Sequence, residues 1–274
     1  MNVVEVKNLQ KTINGREVLR DINLFVKQNE IYGLLGKNGA GKTTTIRSIL
    51  GLIKKDYGYI KIFGEEVEKI DYKRVGVMFD YETFNIDWTI EDNLKSMCYI
   101  YGADEQDIFS YIDLLQINKV DLKKKFRHLS KGMKRKVSLI SVLLPNPDLL
   151  ILDEPTSGLD PEMQIVVRNF ILQLKKKGKT IIFSSHNLQE TQKVCDKVSI
   201  VNEGETLVEF PIQKNYYIVK GEFTGLDMYK IKNTDFYIMG DELIKNFGIS
   251  DYKVVESLEE IYMLAAGGDV VYGK

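Results

Sequence analysis

The stretch GLLGKNGAGKTT, residues 33–44, holds Gly36, Gly41, Lys42 and Thr43 in the spacing G-x-x-x-x-G-K-T. Glycines at 36, 39 and 41 let the backbone curl so that several N–H groups converge, and a helix starting near Lys42 adds the partial positive charge of its N-terminus. Such a nest binds phosphates. Lys42 can reach the β and γ phosphates of a nucleoside triphosphate, and the Thr43 hydroxyl can ligate Mg²⁺. The candidate nucleotide contacts are therefore Gly36, Asn38, Gly39, Ala40, Gly41, Lys42, Thr43 and Thr44, with Lys42 also a catalytic candidate.

A second group of chemical residues closes another apolar run. In DLLILDEP, residues 148–155, Asp153 ends the run and Glu154 follows at once. Neighbours at a strand end face different sides. Asp153 can thus hold Mg²⁺ through water while Glu154 addresses the water that attacks the γ-phosphate. Upstream, in LSKGM (129–133), Ser130 suits the N-cap of a helix beginning near Lys131, and Gly132 permits close approach of a phosphate. As an ordinary cap alone, Ser130 would leave its pairing with Gly132 unexplained.

These groups need strands and helices to place them. Short β-rich runs recur at 3–6, 31–36, 59–63, 75–79, 149–153, 180–185 and 198–201. Several are continuously apolar, as expected of strands buried on both faces. Helical patterns at 42–53 and 162–177 alternate with them. The order predicts an α/β P-loop NTPase fold: a mostly parallel sheet core, an antiparallel β portion and an inserted helical subdomain. That subdomain is placed at about 86–148, where Met133, Val137, Ile140 and Leu144 recur at helical intervals. Residues 1–210 then form the nucleotide-binding domain, and 211–274 read as a small α+β appendage.

Composition narrows the classes. Lys and Arg number 38 against 39 Asp and Glu, so whole-chain charge favours neither polyanions nor acidic lipid. The lysine runs at 123–125 and 175–177 read as solvated helix ends. Only Cys98 and Cys195 are present, in no metal spacing, which fits a reducing cytoplasm. No signal peptide and no apolar stretch of the roughly 18 residues needed for a membrane span is found.

In their order along the chain, GKNGAGKTT, LSKGM, LLILDEPTSGLD and SSH resemble the ATP-binding cassette (ABC) family, over roughly residues 1–210. The resemblance implies ATP hydrolysis with ATP and Mg²⁺ as cofactors. It also implies a head-to-tail dimer, most simply of two identical chains. The signature residues Ser130 and Gly132 of one copy would complete the phosphate site of the other, with Asp160 of SGLD at the seam. His186 matches the switch histidine that contacts the γ-phosphate, whereas His128 has no such context. Two departures stand out. Ile13 occupies the place of an aromatic that stacks on adenine, leaving Arg16 as a guanidinium partner. Asp80 aligns with a glutamine that contacts Mg²⁺ and the membrane subunit, with Glu82 as the alternative.

LSKGM and the ending ESLEEIYMLAAGG resemble the branch that exports drugs, antimicrobial peptides or polysaccharides. On that reading the chain lies at the inner face of the cell membrane, held by a multi-spanning subunit. Residues 80–95 would dock it, with Trp88 either in the docking surface or in the core. A soluble ABC ATPase acting on ribosomes or DNA is the alternative; such chains usually carry two cassettes or long coiled-coil insertions, and neither occurs here. A nucleotide-binding regulator without turnover would not need Glu154 and His186. No nucleic-acid partner is expected.

Overall fold

A computed structural model describes residues 1–80, 84–213, 215–223, 229–255 and 257–267. The chain begins with β1 (Asn2–Ile13), β2 (Arg16–Lys27), β3 (Ile31–Leu35), α1 (Lys42–Ile49), β4 (Tyr57–Ile62), β5 (Glu65–Glu66) and β6 (Val75–Met78). It continues through α2 (Ile90–Tyr101), α3 (Glu105–Leu114), α4 (Lys131–Leu143), β7 (Leu149–Asp153), α5 (Pro161–Lys176), β8 (Thr180–Ser185) and α6 (Leu188–Val194). Then come β9 (Lys197–Asn202), β10 (Glu205–Pro211), β11 (Tyr216–Lys220), β12 (Phe236–Met239), α7 (Asp241–Phe247), β13 (Lys253–Val255) and α8 (Leu258–Ala265).

Two compact units result. One comprises Met1–Lys27, Ile31–Glu68 and Ser185–Lys274; the other comprises Gln28–Glu30 and Lys69–Ser184. In the first, the strand order is β5-β4-β1-β2-β10-β9-β3. The β1–β2 pair is an antiparallel hairpin in which Ile13 faces Arg16. Asn14 and Gly15, between them, both take positive φ (50° and 76°), as the tight turns that match strand twist require. β3 pairs in parallel with β9 and is buried along its whole length. A strand covered on both faces has no use for polar alternation, which explains the unbroken run IYGLL.

The C-terminal part of this unit adds a separate three-stranded sheet, β12-β11-β13, with α7 and α8. Val219, Tyr237, Met239 and Ile244 form its small core. Lys232 ties it down, donating to Asp21 at 2.7 Å and Glu205 at 2.8 Å. Burial pushes the Asp21 carboxyl up, but bonds from Lys232, Asn23 and Asn8 outweigh it and hold the group below its usual value. Burial likewise pulls the Lys232 ammonium down, and Asp21 and Glu205 together outweigh it upward. The Asp21 contribution is therefore present above its unfolded value of 3.8 and lost as pH falls through the lowered one. That of Lys232 is present below 10.5 and lost as pH rises through the raised one. Both groups are about one-third exposed, so water screens the cluster. We expect Lys232→Met to cost about 1 kcal/mol at neutral pH. Thermal melts should show that gap closing on acidification below pH 3.8.

In the second unit β8, β7 and β6 run parallel, Leu152 pairing with Phe183 and with Met78. Its helices begin on side-chain caps. Thr89 and Asp92 form a capping box on α2, Ser130 accepts from the Met133 N–H at α4, and Asp160 accepts from the Met163 N–H before Pro161 of α5. Among the described residues no helix is long and apolar enough to cross a membrane.

Candidate active site

In the first unit β3 delivers the chain into the glycine-rich loop. A Cβ at Gly36 would meet the Val201 carbonyl at 2.5 Å, so no larger residue fits beside β9. Gly41 takes φ 108°, where an added Cβ would also strike Leu19 at 2.9 Å. Lys42 begins α1 and is 6% exposed; its ammonium donates to the carbonyls of Gly36 (2.6 Å) and Lys37 (3.3 Å). The Gly204 N–H donates to the Ala40 carbonyl, and the Thr45 hydroxyl to that of Gly41. The loop is thus fixed on both flanks while its middle residues Lys37, Asn38 and Gly39 face solvent.

His186 belongs to the same unit. The Gly36 N–H, at the start of the phosphate loop, donates to the carbonyl of Ser185, the residue before His186, at 3.3 Å. The side chain is exposed, and Asn187 behind it caps α6. Ile13 and Arg16, the two residues considered for adenine, are partners across the hairpin turn of β1 and β2. His128 is exposed, with Arg127 donating to it.

The carboxylates lie in the second unit. Asp153 ends β7 at 2% exposure, and Glu154 leaves the strand with φ 51°, a conformation that non-glycine residues rarely adopt. One residue organises both. The Ser184 hydroxyl donates to Asp153 and accepts the Glu154 N–H at 3.0 Å. A hydroxyl that donates to one carboxyl oxygen fixes the orientation of the group and leaves further lone pairs for a cation. Sequence reasoning passed over Ser184; a serine wholly buried beside the acidic strand end is its signal, and only pairing of β8 with β7 reveals it. Ser184→Ala should cost about 1–3 kcal/mol by stranding buried polar groups. Chemical denaturation of the purified variant measures it.

The signature and the start of α5 meet in this unit. A Cβ at Gly132 would touch Met163 at 3.1 Å, and one at Gly158 would run into the Lys131 ammonium. Gly132 therefore also serves the packing of α4 on α5. Ser130 and Asp160 both cap their helices, and both are exposed. Lys136, one turn further along α4, is 5% exposed; burial pulls its ammonium down against the opposing pull of Asp160 and Glu162. Asp80 is engaged by Arg135 of α4, whose guanidinium also reaches the Phe79 carbonyl. Glu82, the alternative to Asp80, lies outside the described residues. Trp88 is 46% exposed.

A phosphate loop between a buried parallel strand and a helix, with an acidic pair ending another parallel strand, defines a P-loop nucleoside triphosphatase. Residues 19–157 match the sequence profile of the family described as ABC transporter. The Nod factor export ATP-binding protein I of Burkholderia orbicola (strain AU 1054) is 34% identical over 88% of this chain and 80% of its own length. The bacitracin transport ATP-binding protein BcrA of Bacillus licheniformis is 38% identical over 76% of this chain and 70% of its own. A solved structure described as the ATP-binding subunit of an ABC transporter superposes with a TM-score of 0.74, at 26% identity, over 96% of this chain and 99% of that one. The chain belongs to the ABC transporter family, as an ATP-binding subunit that hydrolyses ATP.

Proposed function

We propose that two copies of this chain bind ATP between them and drive a multi-spanning membrane subunit that exports a peptide, drug or polysaccharide. The observation that carries the proposal is the pairing, on one surface, of the α4 start (Ser130, Gly132) with the α5 start (Asp160). Two helix N-termini side by side make an anion-binding edge in a unit that does not hold the phosphate loop. A second copy can present that edge to the phosphate loop. Export as the direction is supported by a relative named for Nod factor export.

Lys42 and the loop amides would hold the phosphates, Glu154 would take the proton of the attacking water, and His186 would hold the γ-phosphate. Thr43, Asp153 and Asp80 offer oxygen donors only, which suits a hard cation such as Mg²⁺. Among the described residues no cluster of three or more His, Cys, Asp or Glu could bind a metal by itself. That fits an ion held by one or two carboxylates together with nucleotide phosphates. Bound there, Mg²⁺ would neutralise charge on the β and γ oxygens. Asp80 would have to leave Arg135 to take part.

The chain would sit on the cytoplasmic side of the membrane through its partner. Ile86 and Trp88, just before α2, are exposed apolar residues of the second unit and offer a docking contact. Ile90, in contrast, is fully buried and is a poor choice for a docking variant. Pull-downs from detergent-solubilised membranes should recover a protein with several spanning helices, and Ile86→Asp with Trp88→Asp should lose it while ATP binding persists. Recovery of ribosomes or DNA would replace the exporter reading with that of a soluble ABC ATPase.

A further inference from the structure

α1 begins at the phosphate loop, and its far end borders a cavity of about 370 Å³. Ile53 in the turn after the helix, Ile60 of β4 and Val67 just after β5 supply apolar walls. Ser48, in the last turn of α1, lines the cavity as well; it is 2% exposed, and its hydroxyl has no hydrogen-bond partner. Hydroxyls in helices commonly return to the carbonyl four residues back, as Thr45 does to Gly41 and Ser138 to Lys134. Ser48 does not. A buried hydroxyl left without a partner costs free energy that a bound ligand would offset.

The backbone at this helix end asks for nothing. The carbonyls of Ile46, Arg47 and Ser48 accept from the N–H groups of Leu50, Leu52 and Gly51. What remains on offer is the Ser48 hydroxyl and the charged side chains that follow. Lys54 and Lys55 bring two ammonium groups to the lining, and among the described residues neither is in an ion pair. The Asp56 carboxylate beside them is already engaged, taking Lys11 Nζ and the Thr12 N–H, each at 2.7 Å. Glu68, exposed, is the other carboxylate of the lining. Two neighbouring point cations suit a dianion, and lysine is a usual partner of phosphate. A carboxylate and a hydroxyl suit ligand hydroxyls, which donate to the first and either donate to or accept from the second. The volume is that of a small-ligand site, and the aliphatic walls can cover the C–H face of a sugar.

We propose that this cavity binds a small sugar phosphate, with the phosphate on Lys54 and Lys55 and the sugar hydroxyls on Ser48 and Glu68. The site is separate from the phosphate loop and takes its ligand whether or not a nucleotide is bound.

Isothermal titration of the full chain, with the phosphate loop kept occupied by saturating ADP and Mg²⁺, tests this. The probes are glucose 6-phosphate, fructose 6-phosphate, ribose 5-phosphate and glycerol 3-phosphate, with glucose and inorganic phosphate as controls. At least one sugar phosphate should bind with a Kd of about 0.01–1 mM, and both controls about tenfold or more weaker. Lys54→Met with Lys55→Met should weaken the bound probe about tenfold or more, and Ser48→Ala about three- to tenfold, the worth of one hydrogen bond. ADP affinity, measured on each variant, reports that the fold is kept. Because its hydroxyl has no partner, Ser48→Ala should melt no lower than wild type, so weaker binding there cannot come from damage to the fold. Binding by none of the four probes overturns the proposal. So does inorganic phosphate or glucose binding as tightly as the sugar phosphates, or a bound probe that neither variant weakens.

Discussion

Glu154→Gln is expected to bind ATP with near wild-type affinity and to hydrolyse it about 10²–10⁴-fold more slowly, the usual loss when a general base is removed. The amide is the same size as the carboxylate but cannot take the proton of the attacking water. The bond that fixes this residue's unusual backbone runs from its own N–H to Ser184, so the substitution leaves the local conformation in place. The glycine loop lies in a different segment of the chain and keeps its contacts. Equilibrium binding and steady-state ATPase assays on one preparation decide the matter. Activity within a few-fold of wild type would remove Glu154 from the role. With hydrolysis blocked, the ATP-bound variant should also accumulate as a dimer, which light scattering reports.

Mixing two inactive variants should restore hydrolysis. Lys42→Ala removes the ammonium that the loop carbonyls hold at 2.6 and 3.3 Å, and with it the main phosphate contact. Ser130→Arg removes the α4 cap and sets a long side chain on the exposed helix start, at about 1 kcal/mol in stability. Each variant alone should be nearly inactive. Their heterodimer has one site with both lesions and one with neither, provided that Ser130 serves the partner's nucleotide. Failure of every mixing ratio to recover turnover, with heterodimers demonstrated by differential tagging, would mean that each chain completes its own site or that both sites must be intact together.

The phosphate loop is legible in the sequence because its requirement is local: glycines at fixed offsets, a lysine and a threonine, between a strand and a helix. The same holds for Asp153 and Glu154, which the apolar run before them announces. The hairpin is a different case. Asn14 and Gly15 are a strong turn signal, yet LQKTI and REVLR alternate too weakly to read as long strands, so the sequence pattern marks only the start of β1. The helical pattern extends to 53 in the sequence, whereas the helix ends at Ile49 and Gly51 turns left-handed at φ 67°. Ser184 and the Arg135 bond to Asp80 escape for a common reason. Each owes its role to a neighbour distant in sequence, and no spacing rule encodes that.

The parallel pairing of β3 with β9 also bears on how the molecule is made. β1, β2 and β4 are neighbours both in the sheet and along the chain, so they can pair as soon as the first quarter of the protein leaves the ribosome. β3 emerges among them, but its partner β9 is translated only after α6, and Gly204, which holds Ala40, later still. Until then the glycine loop has no strand on that flank and no reason to keep its curled form. A nascent or truncated chain that stops short of β9 should contain the whole phosphate motif and still fail to retain ATP. ATP can therefore act as a late check on synthesis, stabilising only chains whose sheet has closed around the loop.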